Sequence, residues 1–497
     1  MEKAIGFIQK NRKEIIAVFV LLIIFFVLRI FNLKNTPLFN DEAINVWRAQ
    51  EGTYDASKRF ISLVDGKQPL FIWVISIAIR FVGNPLIAAK IVSIIGGLFT
   101  LLVLFLLSYK LFKNKWVSII SVGLYVFYPF AVITNRMVLS ENFLGLFNVL
   151  SLYFAVYLAT RVNLGSMFLL AHSLGAGMLT KSTGFLNIYL LPVTVLLIQN
   201  KNKIAKWIFY ALLSAGFAYL FYSVIFLSPY ADFVNIKNSV FVYSFEEVMN
   251  TSVILSWPAR FWEFIKWVFQ YFVFIPLIPL IFMYRIKKFR TEIIVLSLWF
   301  LLRIIAYSLF AKLAYPRHIF SMTLPLLPLI ALGILNFKPV LGKIKTVFII
   351  LGVCILFMLY SDIKIITDLP RAFIPKTDLF QYANGWPAGY GIKEIVSYLQ
   401  QEAAKQKVTV VTEGVYGYGG LTTASLNIYF RDNTNLETIE VNDDPFVVPG
   451  YSLIRAQTEP VYLLLNKVQD PPKIPLELIM QYKKGIGDSY IRLFRIR

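Results

Sequence analysis

Apolar residues run in long blocks through most of the chain, and nearly every block ends at a short polar or basic cluster. The blocks fall near residues 14–31, 69–83, 86–109, 116–134, 142–160, 164–180, 183–199, 204–227, 262–284, 291–311, 316–336 and 343–360. Apolar runs of about 18 or more residues predict membrane-crossing helices. From Ser361 the pattern changes to mixed polar sequence with Gly, Pro and Asp. Ile392, Ile395, Val396 and Leu399 recur at helical spacing behind Gly389 and Gly391, which predicts a helix over 391–405. Strands are predicted over 407–412, 438–441, 461–465, 476–481 and 489–495. About 135 residues suffice for one small domain, here of the α/β class. The expected fold is thus a polytopic α-helical membrane part, 1–360, followed by a small α/β domain, 361–497.

One polar stretch interrupts the first apolar blocks: Pro37 to Pro69, opening with Asp41 and Glu42 and closing with Lys67, Gln68 and Pro69. A connection of about 30 residues is too long for a plain link. Asn45, Trp47, Tyr54 and Phe60 among its charges argue against disorder. Basic clusters at Lys110/Lys113/Lys115, Arg161, Lys201/Lys203/Lys206, Arg285/Lys287/Lys288/Arg290 and Lys338/Lys343/Lys345 predict the cytoplasmic links, together with the N-terminus. That assignment requires an odd number of crossings between Pro37–Pro69 and Lys110. The block 69–83 is short, begins with Pro69 and contains Arg80, so it is expected to lie at the outer interface. About 11 crossings follow on the length rule, with the N-terminus cytoplasmic and the C-terminal domain extracytoplasmic. The first outer loop, 32–84, then carries juxtamembrane helices. Every suggestive polar group falls on the outer side.

Composition supports a membrane class: 58% of residues are hydrophobic and only 15% charged, against about 25% charged in soluble domains. The first block follows Lys10, Arg12 and Lys13, is too long for a signal-peptide core and lacks a small-residue cleavage site. It reads as a retained helix. The formal charge of +21 would suit nucleic acid, but its basic residues sit between apolar blocks, so no nucleic-acid partner is expected. Cys354, the sole cysteine, lies in an apolar block and excludes an intrachain disulfide.

The groups able to do chemistry each carry two readings. Asp41 is a general base for an attacking hydroxyl, or the N-cap of a helix starting at Glu42. Ser140 and Glu141 cap a helix and complement its dipole; alternatively Glu141 orients a substrate or ligates a metal, and Arg136 binds an anion. Lys181 and Arg317 are interfacial anchors or phosphate clamps. His318 is a structural imidazole or a metal ligand. Arg303, inside a block, is a functional candidate by its position or the partner of a neighbouring helix. P-loop, GxSxG, HExxH and dinucleotide-glycine patterns are absent from the sequence, so a nucleotide-sugar substrate is not suggested. Basic groups and carboxylates gathered at one membrane face suit a phosphate-linked substrate whose tail lies in lipid.

The order of short motifs is specific: a DE pair after the first helix, KxPLFIW, RMVLSE, LTK and PRHIF. Over roughly 1–340 it resembles the membrane glycosyltransferases of the C superfamily, family 39 and its relatives, which include protein O-mannosyltransferases and lipid A aminoarabinose transferases. The resemblance implies transfer of a monosaccharide, mannose or another hexose or a pentose, from a polyprenyl- or dolichyl-phosphate donor. The acceptor is an extracytoplasmic hydroxyl on protein, lipid or glycan, and transfer usually inverts the anomeric centre. It implies Asp41, with Glu42 beside it, as the catalytic carboxylate. Lys67, Arg136, Lys181 and Arg317 are implied to bind the donor phosphate. Gln68 stands where a second proline is common, Glu141 where Asp is more frequent and His318 where Tyr is usual. A divalent metal ion held by Glu141 and His318 is the one cofactor candidate. The expectation is an integral, multi-pass plasma-membrane enzyme of the cell envelope, with a transporter or flippase of lipid-linked sugars as the alternative. The latter would distribute polar groups through the bilayer and over both faces.

Overall fold

The computed structural model describes residues 11–249, 251–336, 343–414, 420–443 and 446–497. Lys10 and Lys338 of the expected cytoplasmic clusters lie outside these, as do the side chains of Arg285, Lys343 and Lys345. We number the α-helices of eight or more residues. They are α1 (Arg12–Ile30), α2 (Asn40–Tyr54), α3 (Leu70–Val82), α4 (Pro85–Phe112), α5 (Lys115–Val126), α6 (Pro129–Arg136), α7 (Ser140–Thr160) and α8 (Leu164–Thr180). There follow α9 (Ile204–Tyr222), α10 (Asp232–Phe241), α11 (Thr251–Tyr271), α12 (Arg290–Phe310), α13 (Leu326–Asn336), α14 (Lys343–Thr367), α15 (Ile392–Ala403) and α16 (Leu421–Phe430).

Among the described residues, six helices are long and apolar enough to cross a membrane, or nine if each of three bent pairs is one span. Proline explains the bends, because it removes a backbone donor and clashes with the preceding turn. Pro129 opens α6 at 59° to α5, and Pro325 separates Pro316–Thr323 from α13 at 54°. After α11 the chain reverses by 112° through Val273 and Phe274, both at positive φ, before a short helix containing Pro276 and Pro279. Leu70–Val82, Leu164–Thr180 and Ser182–Leu197 are shorter apolar helices.

The C-terminal part folds as expected for an α/β unit. Its five-stranded sheet has the order β4-β3-β5-β7-β6, with β3 (Val408–Glu413), β4 (Leu436–Val441), β5 (Val461–Leu465), β6 (Leu476–Lys483) and β7 (Tyr490–Ile496). β3 pairs in parallel with β4 and β5, whereas β7 runs antiparallel to β5 and β6. Alternation along the central strands sends Val408, Val410, Tyr462 and Leu464 to one face, and Val411, Leu463 and Leu465 to the other. α15 and α16 cover the first face. α16 was not foreseen, because LTTASLNIYF mixes β-branched and polar residues without a clear helical stripe.

Two contacts place this unit against the loop that follows α1. Ala43 and Ile44 of α2 belong to the same core cluster as the sheet and α15. A two-stranded ladder joins β1 (Leu38–Phe39) to β2 (Ala388–Gly389), with Leu38 opposite Gly389 and Phe39 opposite Ala388. Gly389 is required there, because a Cβ would collide with the Leu38 carbonyl. The segment carrying Asp41 is therefore clamped from the membrane side by the bundle and from the other side by the sheet domain.

Candidate active site

The stretch 37–69 builds the site by ending one helix and starting another. Buried Arg136 lies against the C-terminal end of α1 and donates to the carbonyls of Leu28 (3.1 Å), Arg29 (3.1 Å) and Phe31 (2.8 Å), and to Thr36 Oγ1 (3.1 Å). A cation on the unsatisfied carbonyls of a helix end satisfies them and complements the dipole. The chain then extends through β1 and turns into α2. That helix begins at Asn40, so Asp41 lies inside its first turn rather than at the cap. Glu42 makes the cap instead: its carboxylate accepts from the backbone N–H of Phe39 (3.0 Å) and of Val138 (2.8 Å) and is fully buried. Asp41 is thereby released from any capping duty.

Asp41 faces two cations, with Arg317 Nη2 at 3.0 Å and Lys67 Nζ at 3.6 Å. Its side chain is 26% exposed, against 4% for Glu141 and 10% for Asp65, so it is the most accessible carboxylate of the cluster. Burial opposes its ionisation, but Lys67 and Arg317 prevail and hold its pKa below the usual carboxylate value. Lys181 donates to Glu141 Oε1 at 2.6 Å, and Arg317 Nε lies 3.7 Å from the same oxygen. The Lys181 turn is tight because Gly184 packs on the Gly177 carbonyl, where any Cβ would collide. Six residues predicted from the sequence thus meet: Asp41, Lys67, Glu141, Lys181, Arg317 and His318. Glu42 adjoins them with its carboxylate turned to the backbone, and Arg136 is spent on the end of α1.

His318 Nε2 stands 3.7 Å from Glu141 Oε1, while its Nδ1 is 2.5 Å from the Tyr307 hydroxyl. These residues do not fit a metal ion. Among the described residues no three His, Cys, Asp or Glu side chains converge, and Lys181 and Arg317 already occupy Glu141. A divalent cation would meet two positive charges at its one carboxylate.

Other members were not singled out from the sequence. Asp65 accepts ion pairs from Arg48 (3.3 Å), Lys67 (3.2 Å) and Lys237 (3.2 Å). Its place in the polar stretch was a signal, since a carboxylate two residues before Lys67 reaches the same ammonium. Asp378 and Gln381 come from the segment leading into the sheet domain, where nothing in the sequence marks them. Arg317 Nη1 donates to Gln381 Oε1, and Tyr271 donates to the buried carboxylate of Asp378. Tyr271 itself stacks flat on Phe130, with ring centroids 3.6 Å apart.

Residues 66–227 match the family model for dolichyl-phosphate-mannose-protein mannosyltransferase. Among solved structures, the fold is similar to ArnT from Cupriavidus metallidurans bound to undecaprenyl phosphate, at 15% identity and a TM-score of 0.61, over 97% of this chain and 98% of that one. It is equally similar to ArnT from the same organism in the apo state, at 14% identity and a TM-score of 0.60, over 98% of both chains. No curated protein matches the sequence. At such identity the two structures establish a shared fold.

Asp378 supplies a stability test. Burial raises its pKa from 3.8 to about 7, although the Tyr271 hydroxyl and Arg317 pull the other way. A carboxyl that keeps its proton only in the folded state stabilises fully below its unfolded pKa, and that contribution is lost as pH rises through the folded one. Purified wild-type protein should therefore lose thermal stability relative to Asp378→Asn as pH is raised from about 4 to about 7. Parallel melting curves across that range would refute the assignment.

Proposed function

We infer that this chain, which resembles the family 39-like membrane glycosyltransferases in its motifs, in residues 66–227 and in its whole fold, transfers one sugar from a polyprenyl-phosphate donor to an acceptor hydroxyl. The observation that carries the reading is Asp41, the most accessible carboxylate of the cluster, held between Lys67 and Arg317. The surrounding charge fits a phosphate. Arg48, Lys67, Lys181, Lys237 and Arg317 are five cations against three carboxylates, Asp41, Asp65 and Glu141. This excess of cations over carboxylates suits an anionic ligand.

In this reading the acceptor oxygen attacks the anomeric carbon as the bond from that carbon to the phosphate oxygen breaks. The hydroxyl proton passes to Asp41, and the negative charge left on the lipid phosphate falls to Arg317, Lys67 and Lys181. A single displacement of this kind inverts the anomeric centre. Donor binding also prepares the base. Once a phosphate shares Lys67 and Arg317, their hold on Asp41 weakens and its proton affinity rises towards that of an ordinary carboxylate. The donor sugar is a hexose, such as mannose, or a pentose. The acceptor is a protein, lipid or glycan at the outer face of the plasma membrane.

The topology that serves this chemistry has 11 crossings, counting the nine spans with Leu164–Thr180 and Ser182–Leu197 and laying Leu70–Val82 along the outer interface. The N-terminus is then cytoplasmic, and the sheet domain lies outside with the ion-pair cluster. In intact cells, Cys placed at Asn202 should be shielded from an impermeant thiol reagent, and Cys placed at Ser57 labelled. The reverse pattern would invert the arrangement.

Asp41→Asn should lower turnover by roughly 10²–10⁴-fold with folding and donor binding retained, and Glu42→Gln should act mainly on stability. Near-normal turnover of purified Asp41→Asn with a set of lipid-phosphate sugars would remove Asp41 as the base. Arg317→Ala and Lys181→Ala should each weaken donor binding by about 1.5–3 kcal/mol, the worth of a charge-assisted contact. Arg136→Ala should instead destabilise the protein and leave the donor affinity of the folded fraction unchanged. A loss of donor affinity with Arg136→Ala at unaltered stability would place that residue in the phosphate site.

A further inference from the structure

Behind β1, away from the ion-pair cluster, lies a cavity of about 1060 Å³. Neither Asp41, Lys67, Glu141, Lys181 nor Arg317 lines it. One side is apolar and comes from two membrane helices: Phe26 and Ile30 on α1, Ile91 and Ile95 on α4. All four are exposed, at 38%, 54%, 38% and 43%. The other end is polar and comes from two parts of the chain far apart in sequence. Lys34 lies between α1 and β1, Lys393 and Glu394 lie in the first turn of α15, and Lys90 projects from α4. Lys393 donates to the Lys34 carbonyl, so the two lysines meet across the junction of bundle and sheet domain.

The charges here do not cancel. Lys90 is matched by Glu42 at 3.9 Å. Of the other charged residues lining the cavity among those described, Lys34 and Lys393 outnumber Glu394 by one positive charge, beside a greasy trough at the end of α1. A ligand that satisfies both ends carries one net negative charge on its head and hydrocarbon behind it. Lys90 lines the cavity and also donates to the Arg136 carbonyl at 3.4 Å, while Glu42 is fixed by the Phe39 and Val138 amides.

We propose that this cavity holds an anionic glycerophospholipid of the surrounding bilayer, its chains along α1 and α4 and its phosphate between Lys34 and Lys393. The lipid bridges the membrane bundle to the sheet domain and braces β1, which leads into Asp41. The proposal rests on the membrane placement of α1 and α4 and is independent of the transfer reaction.

The test uses the full chain in nanodiscs of phosphatidylcholine alone or with phosphatidylglycerol, read by thermal unfolding and by native mass spectrometry of retained lipid. Wild-type protein should retain one phosphatidylglycerol and melt higher in its presence. Lys34→Gln/Lys393→Gln should lose the preference by roughly tenfold or more, as expected for two lysines at a lipid headgroup. Ile91→Trp, which fills the apolar end and leaves the charge alone, should lose retention as well. Lys473→Gln, outside the cavity, should behave as wild type. Equal stabilisation by both lipids, or a preference that survives in the double variant, overturns the proposal. Retention of polyprenyl phosphate in place of phosphatidylglycerol, lost in the double variant, overturns it too, because the cavity would then be the donor's.

Discussion

One guanidinium holds the centre of this molecule. Arg317 reaches Asp41 from the start of α2, Glu141 from the start of α7 and Gln381 from the approach to the sheet domain, with its side chain 10% exposed. A buried cation is tolerable only if anionic and hydrogen-bonding partners surround it, and the carboxylates need it for the same reason. The planar fork matters, because three nitrogens with fixed directions serve three partners at once, which a lysine ammonium does not do from one stem. The rings of Phe39 and Tyr315 lie against the same guanidinium, with centroids 5.3 and 4.6 Å from its central carbon. Removing Arg317 would leave two close carboxylates with one lysine each.

The structure also separates two kinds of arginine that look alike in a sequence. Arg136 and Arg317 both stand at the mouths of apolar helices, and both were expected to meet a phosphate. Arg136 is consumed by three carbonyls at the end of α1; Arg317 is consumed by carboxylates. The difference lies in where the chain puts a helix end and where it puts a second acid, and neither is written beside the arginine. Local pattern nevertheless revealed much. Apolar block lengths located the helices, period-2 and 3.6 patterns located the five sheet strands and α15, and the order of short motifs named the residues that converge. Asp378 and Gln381 were illegible because their role exists only through tertiary packing. α16 was illegible because its helical state comes from burial against α2 and the sheet rather than from propensity. The division at residue 360 also proves less clean than composition suggests, since Ala43 and Ile44 of the first loop sit in the core of the sheet domain.

The bends at proline have a local purpose. Pro129 turns the chain into α6, which delivers Asn135 and Arg136 to the end of α1. Pro316 and Pro325 flank the segment that presents Arg317 and His318. Breaking a span costs backbone hydrogen bonds inside a low-dielectric region, and buried polar side chains near these breaks restore part of the loss.

The short β1–β2 ladder has a consequence for how the molecule is made. Its two halves, Phe39 and Ala388, lie far apart in the chain. At roughly 5–20 residues per second, most of a minute can pass between the emergence of the first strand and that of its partner. Until then the segment ahead of Asp41 has no second strand, and Arg317 has no Gln381. A chain ending between Tyr360 and Ala388 would carry every apolar block and still lack this ladder. The clamp on the Asp41 segment is therefore completed only after every apolar block has been made.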